Sequence, residues 1–253
     1  MSKKTIQYAS QLFLSFESIA NANKILIPSA KTIVLAGNNF RFGSPHNKEW
    51  LNYLNQSWDD VCIIPGLLEH SWLGLEAELD IDEAEKRIKE EVLAYENIHY
   101  LNRKSVNVSD GIRVSGLIKW PNYIECVADD PASKTIKHEY MMQTKLWKLE
   151  EDEWVRETIT DSEYSTIPHV MASYLCPLPH LVGSRYAAFN EKQSEPSFYS
   201  LYYPLYKYPQ PLQGWIFGIP KTNITGYCPN NRTFLGCNSR DGPGYSPQMI
   251  MNV

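Results

Sequence analysis

The side chains that could do chemistry in this chain are sparse and scattered. Six histidines stand at His46, His70, His99, His138, His169 and His180. None is spaced from another histidine, or from a carboxylate, as metal ligands on one strand or helix are spaced. Five cysteines, Cys62, Cys126, Cys176, Cys228 and Cys237, form no CxxC pair. An odd, dispersed set points to reduced thiols in a reducing compartment, so the sequons at Asn55, Asn107, Asn223 and Asn231 carry no expectation of glycosylation. No G-x-S-x-G elbow is present to offer a nucleophilic serine. The glycine-bounded loop Gly37-Asn38-Asn39-Phe40-Arg41-Phe42-Gly43 follows an apolar run. Its backbone N–H groups could cradle a phosphate. It lacks the GxxxxGK[ST] and GxGxxG patterns, and chain geometry alone accounts for it.

The elements that would carry these residues are easier to read. Buried strands are expected at 5–9, 31–36 and 60–65, the last two ending on Gly37 and Gly66. Between them HNKEWLNYLNQSW spaces Trp50, Leu51 and Leu54 as one helical face. Residues 80–96 form the clearest helix. Ile81, Ala84, Ile88 and Val92 make its apolar stripe, and Asp80 with Glu83 makes its capping signal. Two alternating runs flank Asp110-Gly111 and predict a hairpin. A further helix is expected within HEYMMQTKLWKLEEDEW, strands at 167–172 and 214–217, and a last hairpin through NITGY and RTFLG. A β-loop-β-α-β opening marks an α/β fold, with strands enough for two sheets.

The composition is that of an ordinary globular protein. Of 253 residues, 43% are hydrophobic and 21% charged, enough for a sizeable core within one domain, 1–253. A net charge of −5 speaks against general nucleic-acid binding. The opening MSKKTIQYAS has no apolar h-region and no run has the length of a membrane span, so a cytoplasmic protein without a membrane partner is expected.

Seven segments, in order from about residue 6 to residue 244, resemble the calcineurin-like metallophosphoesterases, particularly the small single-domain members. They are IQYASQLFLSF, VLAGNNFRFGSP, IIPGLLEHSW, NIHYLNRKSVNVSDGIRVSGLIKW, ASYLCPLPHLVGSRY, GWIFGIPKTN and NNRTFLGCNSRDGPG. The resemblance implies that family's fold: a four-layer α/β/β/α sandwich, two mixed β-sheets packed face to face and flanked by helices. It also implies that the strand-end loops converge on one cleft. There the family holds two metal ions with carboxylate and imidazole ligands to activate water and hold phosphate.

This chain departs from the family at each ligand position. The D-x-H segment carries Gln11 and Phe13, and the bridging aspartate is Asn38. In GNHE, Leu67 and Leu68 replace Asn and His while Gly66 and Glu69 remain. The His-His-x-Pro segment reads Tyr174, Leu175, Cys176, Pro177, and the two histidines of GHTH are Ile219 and Lys221. Phe, Leu and Ile offer no donor atom, neutral amides bind divalent ions weakly, and a protonated lysine repels them. No metal or other cofactor is therefore expected. The apolar replacements are expected to close on one another or under Trp72 or Tyr174, with Asn38, Gln11 and Lys221 hydrogen-bonded at the edge. His70 and His180 would lie near the same cleft, where a single histidine reads more simply as a surface residue, and Cys176 as a packed thiol.

The stretch SFYSLYYPLYKYPQP concentrates Phe198, Tyr199, Tyr202, Tyr203, Tyr206 and Tyr208. Tyrosine-rich surfaces favour interfaces, and core packing is the equal alternative. The expectation for function is a catalytically inactive metallophosphoesterase-like protein, binding a protein partner or itself, or serving as a structural part such as a virion component. The alternatives are a metal-free phosphate or nucleotide sensor using Lys221, and a weakly active phosphoesterase.

Overall fold

The computed structural model describes residues 4–41, 43–66, 69, 81–118, 137–161, 166–177, 212–218, 223–227 and 233–253; for 81–84 and 137–145 it describes the backbone alone. In chain order the elements are β1 (Thr5–Ala9), α1 (Ala22–Ile25), β2 (Thr32–Ala36), α2 (Asn47–Ser57), β3 (Asp60–Ile64), α3 (Ile81–Val92), β4 (Ile98–Tyr100), β5 (Lys104–Val108), β6 (Ile112–Leu117), α4 (Lys137–Thr160), β7 (His169–Ser173), β8 (Leu212–Phe217), β9 (Ile224–Tyr227), β10 (Phe234–Cys237) and β11 (Ile250–Asn252).

These strands form two sheets. The first has the order β11-β1-β2-β3-β4 and the second β5-β6-β7-β8-β10-β9. β1 through β4 are mutually parallel, and β11 adds antiparallel to β1. In the second sheet β6, β7, β8 and β10 are parallel, with the β5–β6 and β9–β10 hairpins at its edges. Both sheets are thus mixed. Central parallel strands must bury both faces, which is why TIVLA and DVCII are buried throughout and, after Thr32 and Asp60, carry continuous rather than alternating apolar residues.

Alternate side chains then sort into three apolar layers. Ile6, Tyr8, Val34, Cys62 and Ile64 of the first sheet meet Val114, Val170, Ala172 and Ile216 of the second between the sheets. On the outer face of the first sheet, Ile33, Leu35, Val61 and Ile63 pack with Trp50, Leu51 and Leu54 of α2 and Ile88 and Val92 of α3. On the outer face of the second, Leu117, Met171, Trp215, Phe217 and Leu235 pack with Val155 and Ile159 of α4. The result is the expected α/β/β/α sandwich.

Elements differ from expectation mainly at their ends. The stop of α3 at Val92, before the expected end at residue 96, precedes a tight turn in which the Tyr95 N–H bonds back to Val92. α4 continues to Thr160, because Val155 and Ile159 extend its buried face past the segment whose pattern is readable. β11 was not expected; three residues are too few to show a period, and pairing with β1 creates it. The Asp80 capping signal lies outside the described residues.

Candidate functional site

The parallel strands of both sheets run the same way into one edge, where their C-terminal loops meet. There the sheets are stitched together. Ser10, just past β1, forms a parallel bridge with Ser239, just past β10. The Ser10 hydroxyl donates to the Gly218 carbonyl at 3.2 Å. Gly218 has to be glycine at this crossing, since a Cβ there would lie 2.0 Å from the Ala36 carbonyl oxygen. Arg240 buttresses the same edge, donating to the Leu12 carbonyl at 3.0 Å and to the Glu17 carboxylate at 2.7 Å.

Left-handed backbone recurs here. Gln11, Phe13 and Asn38 have φ of 55°, 52° and 55°, beside Gly37 at 77°. For residues with a Cβ each such conformation costs about 1–2 kcal/mol. It is maintained by backbone bonds between the two loops: Gln11 N–H to the Gly37 carbonyl, Phe13 N–H to Asn38 and Leu14 N–H to Asn39.

Three of the side chains at positions where the resemblance leads one to expect ligands are hydrogen-bonded to each other. The Asn38 Nδ2 group donates to Gln11 Oε1 at 3.2 Å and to the Tyr174 hydroxyl at 3.1 Å. Gln11 is 1% exposed, Asn38 6% and Tyr174 3%. The Tyr174 ring lies over Gly37 and Gly66, where an added Cβ would come within 2.3 and 2.8 Å of its Cδ2. Tyr174 therefore covers the amide pair; the sequence-based expectation placed it, or Trp72, over the apolar replacements. Leu175 beside it is buried. Phe13 is only half-buried, which corrects the expectation that every apolar replacement closes into new core: its left-handed backbone turns the loop outward while Leu12 and Leu14 on either side are fully buried. Leu67, Leu68, Ile219, Lys221, His70, Trp72 and His180 lie outside the described residues, as do Phe198, Tyr199, Tyr202, Tyr203, Tyr206 and Tyr208.

The loop amides that could cradle a phosphate already converge on a carboxyl group of the chain itself. Glu69, 1% exposed, accepts the N–H groups of Asn38 at 2.9 Å and Gly66 at 2.8 Å on Oε2. On Oε1 it accepts Asn39 at 2.7 Å and Phe40 at 3.2 Å. Burial raises its pKa, and the backbone donors act against that rise. A carboxylate three residues after a loop glycine, as Glu69 is after Gly66, is the sequence signal for this role, because it can turn back on the exposed amides. Three further groups at this edge, Gln11 Nε2, Asn39 Nδ2 and Ser239 Oγ, are buried with no partner among the described residues.

As a donor set the described residues do not fit two divalent ions. The Gln11 carbonyl oxygen and the Tyr174 hydroxyl face the Asn38 N–H2 group, Phe13 has no donor, and the Glu69 carboxylate is consumed by backbone amides. Among the described residues no three His, Cys, Asp or Glu side chains group as a metal would need. Cys176 is buried in the apolar layer under α4, as a packed thiol.

No protein-family model and no curated protein matches this sequence. Solved structures do match. A phosphopantetheinyl hydrolase from Mycobacterium tuberculosis aligns over 100% of this chain and 96% of its own, with a TM-score of 0.65 at 10% identity. A second solved chain aligns over 94% of this one and 91% of its own, with a TM-score of 0.51 at 10% identity. At such identity the likeness is one of fold: two mixed sheets flanked by helices, shared over essentially the full chain with a hydrolase.

Proposed function

We propose that this chain is a metallophosphoesterase-fold protein that has given up metal-dependent catalysis and serves as a structural or protein-binding component inside the cell, a virion part being one such role. The observation that carries this reading is the Gln11–Asn38–Tyr174 network. An amide that donates both its hydrogens to neighbouring side chains, beneath a covering ring, is arranged as a small polar core. Two-metal chemistry needs oxygens and nitrogens left with free lone pairs toward a common point. Glu69 supports the same reading, because it fills the backbone cradle that an incoming phosphate would use. The aromatic segment 198–208 is the first surface to search for a partner.

The test is elemental analysis after dialysis against Mn, Zn and Fe, paired with hydrolysis of nitrophenyl phosphate mono- and diesters. Expected are less than one ion per chain and no turnover that follows the protein peak; enzymes of this kind accelerate such reactions by at least about 10⁶-fold. One tightly held ion per chain, with turnover lost on changing Asn38, would overturn the proposal.

A second reading has its own support. Gln11 Nε2 and Asn39 Nδ2 are donors, and with the Ser239 hydroxyl they stand buried without acceptors among the described residues. Orphaned donors favour a small acceptor, as in a metal-free phosphate or nucleotide sensor. A rise in melting temperature with inorganic phosphate or nucleotides, lost in Asn39→Leu, would favour the sensor.

A further inference from the structure

The face of the second sheet turned toward α4 is largely apolar, yet a polar chain crosses it at the end away from the loop edge described above. It begins on the edge strand β5 with Ser105, the cross-strand neighbour of Ser115 on β6. Their hydroxyl oxygens are 2.6 Å apart. Ser115 Oγ lies 2.8 Å from His169 Nε2 at the start of β7. Arg113 sits beside His169 in register. Its guanidinium donates to Ser105 Oγ at 3.4 Å and stands 3.6 Å from the Asp161 carboxylate, one residue past α4. Ser115, His169 and Arg113 are all buried. One network therefore joins three strands and the end of a helix through a buried titratable ring.

We propose that this network is an acid-operated latch: a proton taken up at His169 frees the edge strand β5 and the end of α4 from the second sheet, while the rest of the sandwich stays folded. The charged groups acting on the imidazole are Arg113 from β6 and Asp161 from the segment after α4. Toward the ring β5 offers the Ser105 hydroxyl, through Ser115, and β8 the apolar Leu212. An imidazolium here is desolvated and stands beside a guanidinium, and Asp161, already turned to Arg113, offsets this only in part. Burial first, then Arg113, accordingly hold the closed-state pKa down to about 3. Opening is the way to hydrate the charge, and the structure permits it locally. Among the described strands β5 is paired on one side only, with β6, and the β7–β8 ladder is interrupted between His169 and Val170, next to the ring.

Once exposed, the ring titrates near its ordinary value of about 6.5, so each pH unit below that multiplies the open population about tenfold until the closed form itself protonates. The test is hydrogen exchange read by mass spectrometry on the full chain at about pH 7 and about pH 4.5, each rate divided by its intrinsic value; about a 100-fold loss of protection is expected in 104–113 and 156–161. Protection in β2 should hold. Unchanged protection in β5 and the α4 end, or an equal loss in β2, overturns the latch. His169→Gln, neutral at every pH and still able to share a hydrogen bond with Ser115, should flatten the pH response. Should that variant fail to fold, Ser105→Ala cuts the chain at its exposed end with the ring in place. It must open more at neutral pH and keep the tenfold slope; wild-type opening in Ser105→Ala would equally overturn the proposal.

Discussion

Replacing Glu69 by glutamine changes little in shape and reverses the chemistry of one atom. Each carboxylate oxygen takes two backbone N–H groups, Asn39 and Phe40 on Oε1, Asn38 and Gly66 on Oε2. Whichever way a glutamine amide turns, one pair keeps its acceptor and the other faces an N–H2 group. Hydrogen bonds to a charged partner contribute about 1.5–3 kcal/mol each, so losing two costs about 3–6 kcal/mol. Against this, glutamine removes a buried charge whose desolvation already raises the Glu69 pKa. The relief is partial, because the amide that replaces the charge is itself half-satisfied, and the net expectation is a loss of about 2–4 kcal/mol. Urea unfolding near neutral pH, followed by far-ultraviolet circular dichroism and extrapolated linearly, measures this directly. Amide exchange at 38–40 should accelerate in the same variant. A Glu69→Gln protein that unfolds within about 0.5 kcal/mol of the parent would refute the reasoning, since surface-like changes fall in that range.

Three further outcomes follow from the same site. Asn38→Asp removes both donations to Gln11 and Tyr174 and sets a second carboxylate beside Glu69, so it should cost about 2–4 kcal/mol near neutral pH, with no recovery when Mn²⁺ is added; stabilisation by the metal in urea melts would contradict this. Tyr174→Phe should cost about 1 kcal/mol for the lost hydroxyl, and Tyr174→Ala about 3–5 kcal/mol for the uncovered amides and glycines; equal midpoints for the two variants would show that the ring covers nothing. Phe13→Gly relieves a left-handed backbone and gives up only half-buried surface, so its urea midpoint should correspond to within about 1 kcal/mol of the parent; a larger loss would place Phe13 in the core after all.

The frame of this protein is legible in its residues. Short apolar runs such as TIVLA and DVCII, running up to Gly37 and Gly66, favour strands covered on both faces, and Asp110-Gly111 favours a hairpin, so the sheets, α2 and the hairpins are readable in the residues. That Gln11, Phe13 and Asn38 offer neither carboxylate nor imidazole was equally readable, because donor chemistry belongs to the residue and not to its surroundings. Tertiary structure decided the rest. Whether Glu69 faces solvent or four backbone amides depends on two loops that are distant in sequence and adjacent at the sheet edge. That Tyr174, 136 residues from Asn38, covers it follows from the parallel order β6-β7-β8 placing that strand end against the first sheet. β11 exists only because β1 offers it an edge. Ser105, Ser115 and His169 are ordinary residues at unremarkable spacings, and strand register alone makes them one chain. Local sequence sets which conformations a segment prefers; long-range pairing selects what each polar group faces when water is gone, and that second choice gives this site its chemistry.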